Sequence, residues 1–193
     1  METFTAEEIR DLLISILALT VIFSWKAFPD YGLDLNLLPT SAIIIIVAFF
    51  LHEMAHKFTA KRLGLIAHYQ MWPQALLFGM VLMIFGIKFA APGAVVISAY
   101  RFARYPMRMR NIQLSEQGIV SMMGPMTNIL VAIIGTLFTG PFFKTLVFIN
   151  AWLALINMLP IPPLDGSKIL LWKFWIWGFM FFLSLILIFL TIV

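Results

Sequence analysis

The sequence predicts an all-α polytopic membrane protein, with five to six transmembrane helices and a small membrane-embedded β-hairpin or re-entrant element. Three observations carry that expectation. Hydrophobic residues make up 62% of the 193-residue chain and charged residues only 11%, against about 45–50% and about 25% in soluble domains. Five apolar runs, 10–28, 41–60, 118–139, 142–159 and 172–193, approach the length of about 20 residues that a membrane span needs. A sixth run, QALLFGMVLMIFGI at 74–87, is short for a span and leads through Lys88 into FAAPGAVVIS, which is β-branched around a Pro-Gly pair.

Charge placement arbitrates between crossing and turning back. Arg10, Lys57, Lys61, Arg62, Arg101, Arg104, Arg108, Arg110, Lys168 and Lys173 are ten of the thirteen basic residues. If 74–98 dips in and returns, all ten share one side, and the other holds Lys26 and Lys144 beside Asp30 and Asp34. Basic residues collect on the cytoplasmic side of short loops. The expectation is therefore five spans plus a re-entrant element, with the N-terminus and the site described below facing the cytoplasm of a cell membrane. A sixth, tilted span is the alternative. No linker, repeat or low-complexity stretch interrupts the chain, so 1–193 reads as one domain. METFTAEEIRDL, acidic and without a small-residue cleavage site, does not read as a cleavable signal peptide. With no cysteine present, a metal site must draw on His, Asp or Glu.

The residues that break the apolar pattern are the informative ones. In HEMAH (52–56) two histidines four apart share one helix face, a spacing that lets two imidazoles hold one metal ion. Glu53, next to the first, is in the place of a general base that activates water. An incidental match at a helix end is the bland alternative, and it is disfavoured because ionisable residues within spans are rare and functional by default. A catalytic zinc needs a third protein ligand. Glu2, Glu7, Glu8, Asp11, Asp30, Asp34 and Glu116 lie in loops or at span starts, which leaves Asp165 in NMLPIPPLDGSK (157–168). Prolines 160, 162 and 163 forbid a continuous helix there. Gly166 permits a turn, and the segment returns to the face and depth of HEMAH. A loop aspartate making a turn is the alternative reading.

HEMAH together with NMLPIPPLDG resembles the site-2 protease family of intramembrane zinc metalloproteases. The second motif is similar to that family's N-x-x-P-x-P-x-L-D-G pattern, and SMMGPMTN (121–128) to its G-P-x-x-N stretch. The resemblance covers about 41–170 and implies a single transmembrane metalloprotease domain with one zinc ion per chain. By that likeness His52, His56 and Asp165 hold the metal, Glu53 activates water, and Asn157 donates to the oxyanion. It also makes FAAPGAVVIS a membrane-embedded strand near the site. Two departures stand out: Ser167 replaces a second glycine after LDG, and no PDZ or CBS domain is present. The function implied is hydrolysis of peptide bonds in membrane-anchored protein substrates. The expected partners are such a substrate and the lipid bilayer, with no nucleic acid; oligomeric state is open. An extended substrate could add to a strand such as 90–98.

The competing class is a metal-ion transporter using the same ligands in transit, which would need neither Glu53 nor a Pro-rich break carrying an Asn. A catalytically silent binder of membrane helices would not need the full set. Blander roles suit the rest. His68 reads as interfacial, and Trp72, Trp172, Trp175 and Trp177 as an aromatic belt. The arginines of YRFARYPMRMR read as headgroup contacts, Gly124 and Gly135 as helix-packing positions, and Asn128 as an interhelical hydrogen-bonding residue.

Overall fold

Thr5 opens the first helix, its hydroxyl accepting from the Glu8 amide at 3.1 Å and so satisfying one of the helix's orphan donors. In the computed structural model, which describes residues 4–27, 29–88, 91–101, 108–109 and 111–192 (backbone only at 99–101 and 108–109), this helix, α1, spans Ala6–Ser24. Strands β1 (Trp25–Lys26) and β2 (Gly32–Leu33) form an antiparallel hairpin beside a Lys26–Asp34 ion pair at 2.9 Å. Helices α2 (Leu38–Ile45) and α3 (Leu51–Arg62) are joined through a π-helical turn at Ile46–Phe50 into one apolar helix, Leu38–Arg62. Then come β3 (Leu65–Met71), α4 (Pro73–Ile84), β4 (Gly93–Arg101) and β5 (Arg108–Met109), the three strands forming one sheet in the order β3-β4-β5. Helices α5 (Leu114–Gly135), α6 (Pro141–Asn157), α7 (Asp165–Trp172) and α8 (Phe174–Ile192) complete the chain.

Two compact units divide these elements. In the first, residues 1–50 and 68–96, α1 packs against α2 and α4. Leu19, Ile22, Ile44 and Ile45 are buried in it. Tyr69 anchors β3 here: its ring meets Phe49 edge-on at 5.7 Å, and its hydroxyl lies 2.8 Å from that of Ser15. Two carboxylates one turn apart on α1 then take the backbone donors of alternate β3 residues. Glu8 Oε1 accepts from the Tyr69 amide at 2.9 Å and Asp11 Oδ2 from the Met71 amide at 3.2 Å. Buried backbone donors must be paired, and here a helix supplies side-chain acceptors where a strand would supply carbonyls.

In the second unit, residues 51–67 and 97–193, α5 is the central element, touching α3, α6, α7 and α8. Ile129 and Ala132 of α5 interlock with Val147, Ala151 and Ala154 of α6, Ile169 of α7 and Met180 of α8. Small residues on α5 and α6 let the backbones approach closely, as membrane helices do. Helix α6 stops at Asn157 because the prolines that follow cannot continue it, and the Pro162–Pro163 bond is cis. The indole N–H of Trp177 donates to the Met158 carbonyl at 2.6 Å, so this residue ties α8 to the end of α6 rather than serving only in an aromatic belt.

The fold is mostly helical with small sheets. Among the described residues three helices are long and apolar enough to cross a membrane: Leu38–Arg62, Leu114–Gly135 and Phe174–Ile192. The other expected spans differ for physical reasons. Glu7, Glu8, Arg10 and Asp11 interrupt the start of α1, and α6 has 17 residues. The 74–87 run becomes a 12-residue helix, about 18 Å at 1.5 Å per residue, well short of a hydrocarbon core of about 30 Å. The expected strand at 90–98 appears as β4, although Phe89 and Ala90 lie outside the described residues. Arg104 and Arg110 also lie outside them, as do the side chains of Arg101 and Arg108.

The carboxylate acceptors on α1 are testable. Glu8→Ala strands the buried Tyr69 amide and should lower stability by about 1–3 kcal/mol, the usual cost of an unsatisfied buried donor. Glu8→Gln keeps an acceptor and should lose less. Thermal unfolding in detergent that ranks Gln as badly as Ala would deny Glu8 this role.

Candidate metal centre

Helical periodicity sets His52 and His56 on one face of α3, with ring centroids 4.6 Å apart at an interplanar angle of 81°. Their Nε2 atoms are 3.0 Å apart. Asp165 comes from the other side of the Pro-rich break, at the first position of α7, with Leu164 extended before it. Its Oδ2 lies 3.0 Å from His56 Nε2 and 3.4 Å from His52 Nε2, while its Oδ1 is 3.9 Å from Lys168 Nζ. All three residues are buried.

Both rings are held by their far nitrogens. His56 Nδ1 lies 2.7 Å from the Val120 carbonyl, which can only accept, so that nitrogen carries the proton. His52 Nδ1 meets Asn128 Oδ1. Each Nε2 is then an unprotonated acceptor facing the other and facing Asp165 Oδ2. Three converging acceptors repel one another unless a cation lies among them. Ligands at about 2.0–2.2 Å from a tetrahedral zinc sit roughly 3.3–3.6 Å apart, a few tenths of an ångström wider than two of the separations here and matching the third. Histidine ligands characteristically donate their second N–H to a carbonyl or similar acceptor. The donor set therefore fits zinc, and His52, His56 and Asp165 are the residues that would hold it.

Two glycines make room. A Cβ at Gly124 would overlap ring atoms of both His56 and His52, so α5 passes the site closely only because that position is bare. A Cβ on Gly166 would collide with the Met158 carbonyl. Gly166 thus serves close backbone approach, not the turn the sequence suggests, because the helix already begins at Asp165.

Glu53 is buried one residue after His52 on α3. Asn157 ends α6, and its amide donates to the Leu153 carbonyl of its own helix at 2.9 Å. His68 is half-buried within β3 and is not one of the three clustered residues. Asn128 does bond between helices, as expected, but one of its partners is a ligand-type histidine. Asn150, another partner at 3.0 Å, is invisible to sequence reasoning except as an amide within the apolar run of α6.

Three long apolar helices and a buried His-His-Asp cluster define a membrane protein with a zinc-type site. The chain is 34% identical to "Putative zinc metalloprotease MJ0611" of Methanocaldococcus jannaschii, over 91% of this chain and 89% of that one. It is 32% identical to "Putative zinc metalloprotease YwhC" of Bacillus subtilis, over 70% of this chain and 69% of that one. No family model and no solved structure matches it. The chain belongs to the zinc metalloprotease family of these two relatives.

Crowding at Gly124 gives a direct check on the centre. Gly124→Ala should displace the imidazoles and lower bound zinc well below that of wild type. Gly178→Ala, which meets open space, should leave it unchanged. Equal zinc in both variants by elemental analysis would remove Gly124 from the site.

Proposed function

We propose that the chain is an intramembrane zinc metalloprotease of the site-2 type, hydrolysing peptide bonds in membrane-anchored protein substrates. One observation carries this reading most: the HEMAH residues lie on Leu38–Arg62, itself a helix of spanning length and apolarity, and they converge with Asp165. The zinc-metalloprotease names of the two relatives support it.

Bound zinc, one per chain, would polarise the scissile carbonyl and acidify a water to a pKa near neutrality. His52, His56 and Asp165 would hold it. Glu53 takes the proton from the attacking water and delivers it to the leaving amine nitrogen, so no nucleophilic side chain is needed. The Asn157 amide has a second N–H beyond the one given to Leu153, and that one serves the oxyanion. The substrate must be extended at the scissile bond, since helical peptide bonds are covered. Among the described residues β5 pairs with β4 at Tyr100 and Arg101, and the substrate strand adds to the rest of that edge. The protein crosses the cell membrane several times, with the 74–98 region re-entrant and both the N-terminus and the site opening on the cytoplasmic side.

The experiment is Glu53→Gln, assayed on a membrane-anchored reporter in liposomes with zinc measured on the same sample. Gln is nearly isosteric but cannot take the proton. Zinc should stay and cleavage should fall by about 100- to 10,000-fold, the usual worth of a general base. Cleavage at the wild-type rate would end the protease reading, and abolished zinc transport would favour a transporter.

Topology is tested separately in a chain that has no native cysteine. Single cysteines at 57–62 and at 101–110 should label from the same, cytoplasmic side. Labelling from opposite sides would mean that 74–89 crosses.

A further inference from the structure

A chain of hydrogen bonds leads from a backbone carbonyl on α6 to the first histidine of the cluster. Asn150 Nδ2 donates to the Leu146 carbonyl at 2.9 Å, and Asn128 Nδ2 donates to Asn150 Oδ1 at 3.0 Å. Asn128 Oδ1 then meets His52 Nδ1. Both asparagines are 0% exposed.

The direction of every bond follows from the far end. A carbonyl oxygen can only accept, so Asn150 must turn its NH2 to Leu146 and its oxygen to Asn128. Asn128 must then give its NH2 to that oxygen and turn its own oxygen to His52. Facing an acceptor, His52 carries its proton on Nδ1 and leaves Nε2 as a lone pair toward Asp165 and His56. Removing Asn150 takes away the acceptor at 3.0 Å that fixes which end of the Asn128 amide faces His52, and a turned amide would present NH2 instead. That would favour a proton on Nε2, where the metal must bind. His56 has no such weakness, because a backbone carbonyl holds its Nδ1 directly.

We propose that Asn128 and Asn150 are positioning residues for the metal, a relay from the Leu146 carbonyl that sets the tautomer and ring plane of His52. The proposal rests on the reading of His52, His56 and Asp165 as zinc ligands. It differs from a role in helix packing, because it makes Asn150 affect zinc through Asn128 in the described network.

The test uses the full chain in detergent. Zinc affinity is measured by competition with a chromophoric chelator for wild type, Asn128→Leu, Asn150→Leu and Asn128→Asp. The imidazole nitrogens of the metal-free protein are read by 15N NMR, and thermal unfolding of the metal-free protein is followed alongside. Loss of such an outer partner typically weakens metal binding about 10- to 100-fold, and that is expected for both leucine variants. Their His52 signals should shift from the Nδ1–H form toward a mixture. Asn128→Asp keeps an acceptor for Nδ1–H and should bind zinc at least as tightly as wild type. Wild-type affinity and an unchanged His52 tautomer in a folded Asn150→Leu would overturn the relay. If the leucine variants do not fold, a folded Asn128→Asp decides, and weakened zinc binding there overturns the proposal equally. A wild type that binds no zinc would instead sink the reading of the metal centre itself.

Discussion

Placing two imidazoles and a carboxylate among apolar helices is costly unless each polar atom finds a partner, and much of the second unit is arranged around that requirement. An unpaired buried polar group costs roughly 1–3 kcal/mol in proteins, and a buried charge several times more. Each outward atom of the cluster has a partner: Val120 O for His56, Asn128 for His52, and Lys168, at 3.9 Å, for the second oxygen of Asp165. Two of these come from α5, the helix that also touches α3, α6, α7 and α8. The three inward atoms are acceptors that face one another, an arrangement that suits a cation between them.

Close approach is what makes those partners reachable. Val120 can offer its carbonyl to His56 because α5 presents bare backbone at Gly124 to the two rings. A side chain there would push α5 away and lengthen both bonds, and hydrogen bonds weaken steeply beyond about 3.2 Å. The apolar interlock of Ile129, Ala132, Ala151 and Ala154 sustains the same closeness along the helix pair and carries Asn128 and Asn150 into register. Packing and polar pairing are thus one constraint read at two places.

How much of this is legible in the sequence depends on how local the cause is. The histidine pair follows from a period of 3.6 residues, so HEMAH reveals it directly. Asp165 is reachable because the proline break and the scarcity of other acids point to it. The Asn150 partnership depends on the register of α5 against α6, which no local pattern encodes, and a single amide in VFINAW carries no period. Strand β3 is equally hidden: LIAHYQM owes its conformation to Tyr69 and to carboxylates some sixty residues away on α1. Trp177 looks like any interfacial tryptophan until the end of α6 presents it with a carbonyl. Among the described residues three helices meet the length and apolarity of a span because α1 carries charges in its first turns and α4 and α6 are short.

The ligand set joins two unlike kinds of structure. His52 and His56 are pre-arranged by one turn of helix, which forms whenever α3 forms. Asp165 depends on a backbone that has already broken at the prolines, closed on Met158 without a Cβ at Gly166, and started a new helix. Met158 is the hinge of that arrangement, since its carbonyl both excludes a side chain at Gly166 and accepts the Trp177 indole. A metal bridging α3 and α7 binds the docked arrangement and not the undocked one, so its binding free energy adds to the docking of α7. A metal held there would join its affinity and the packing of α7 and α8 against α6 in a single equilibrium. Substitutions at Gly166 or Trp177 would then change metal binding without touching the three ligand residues.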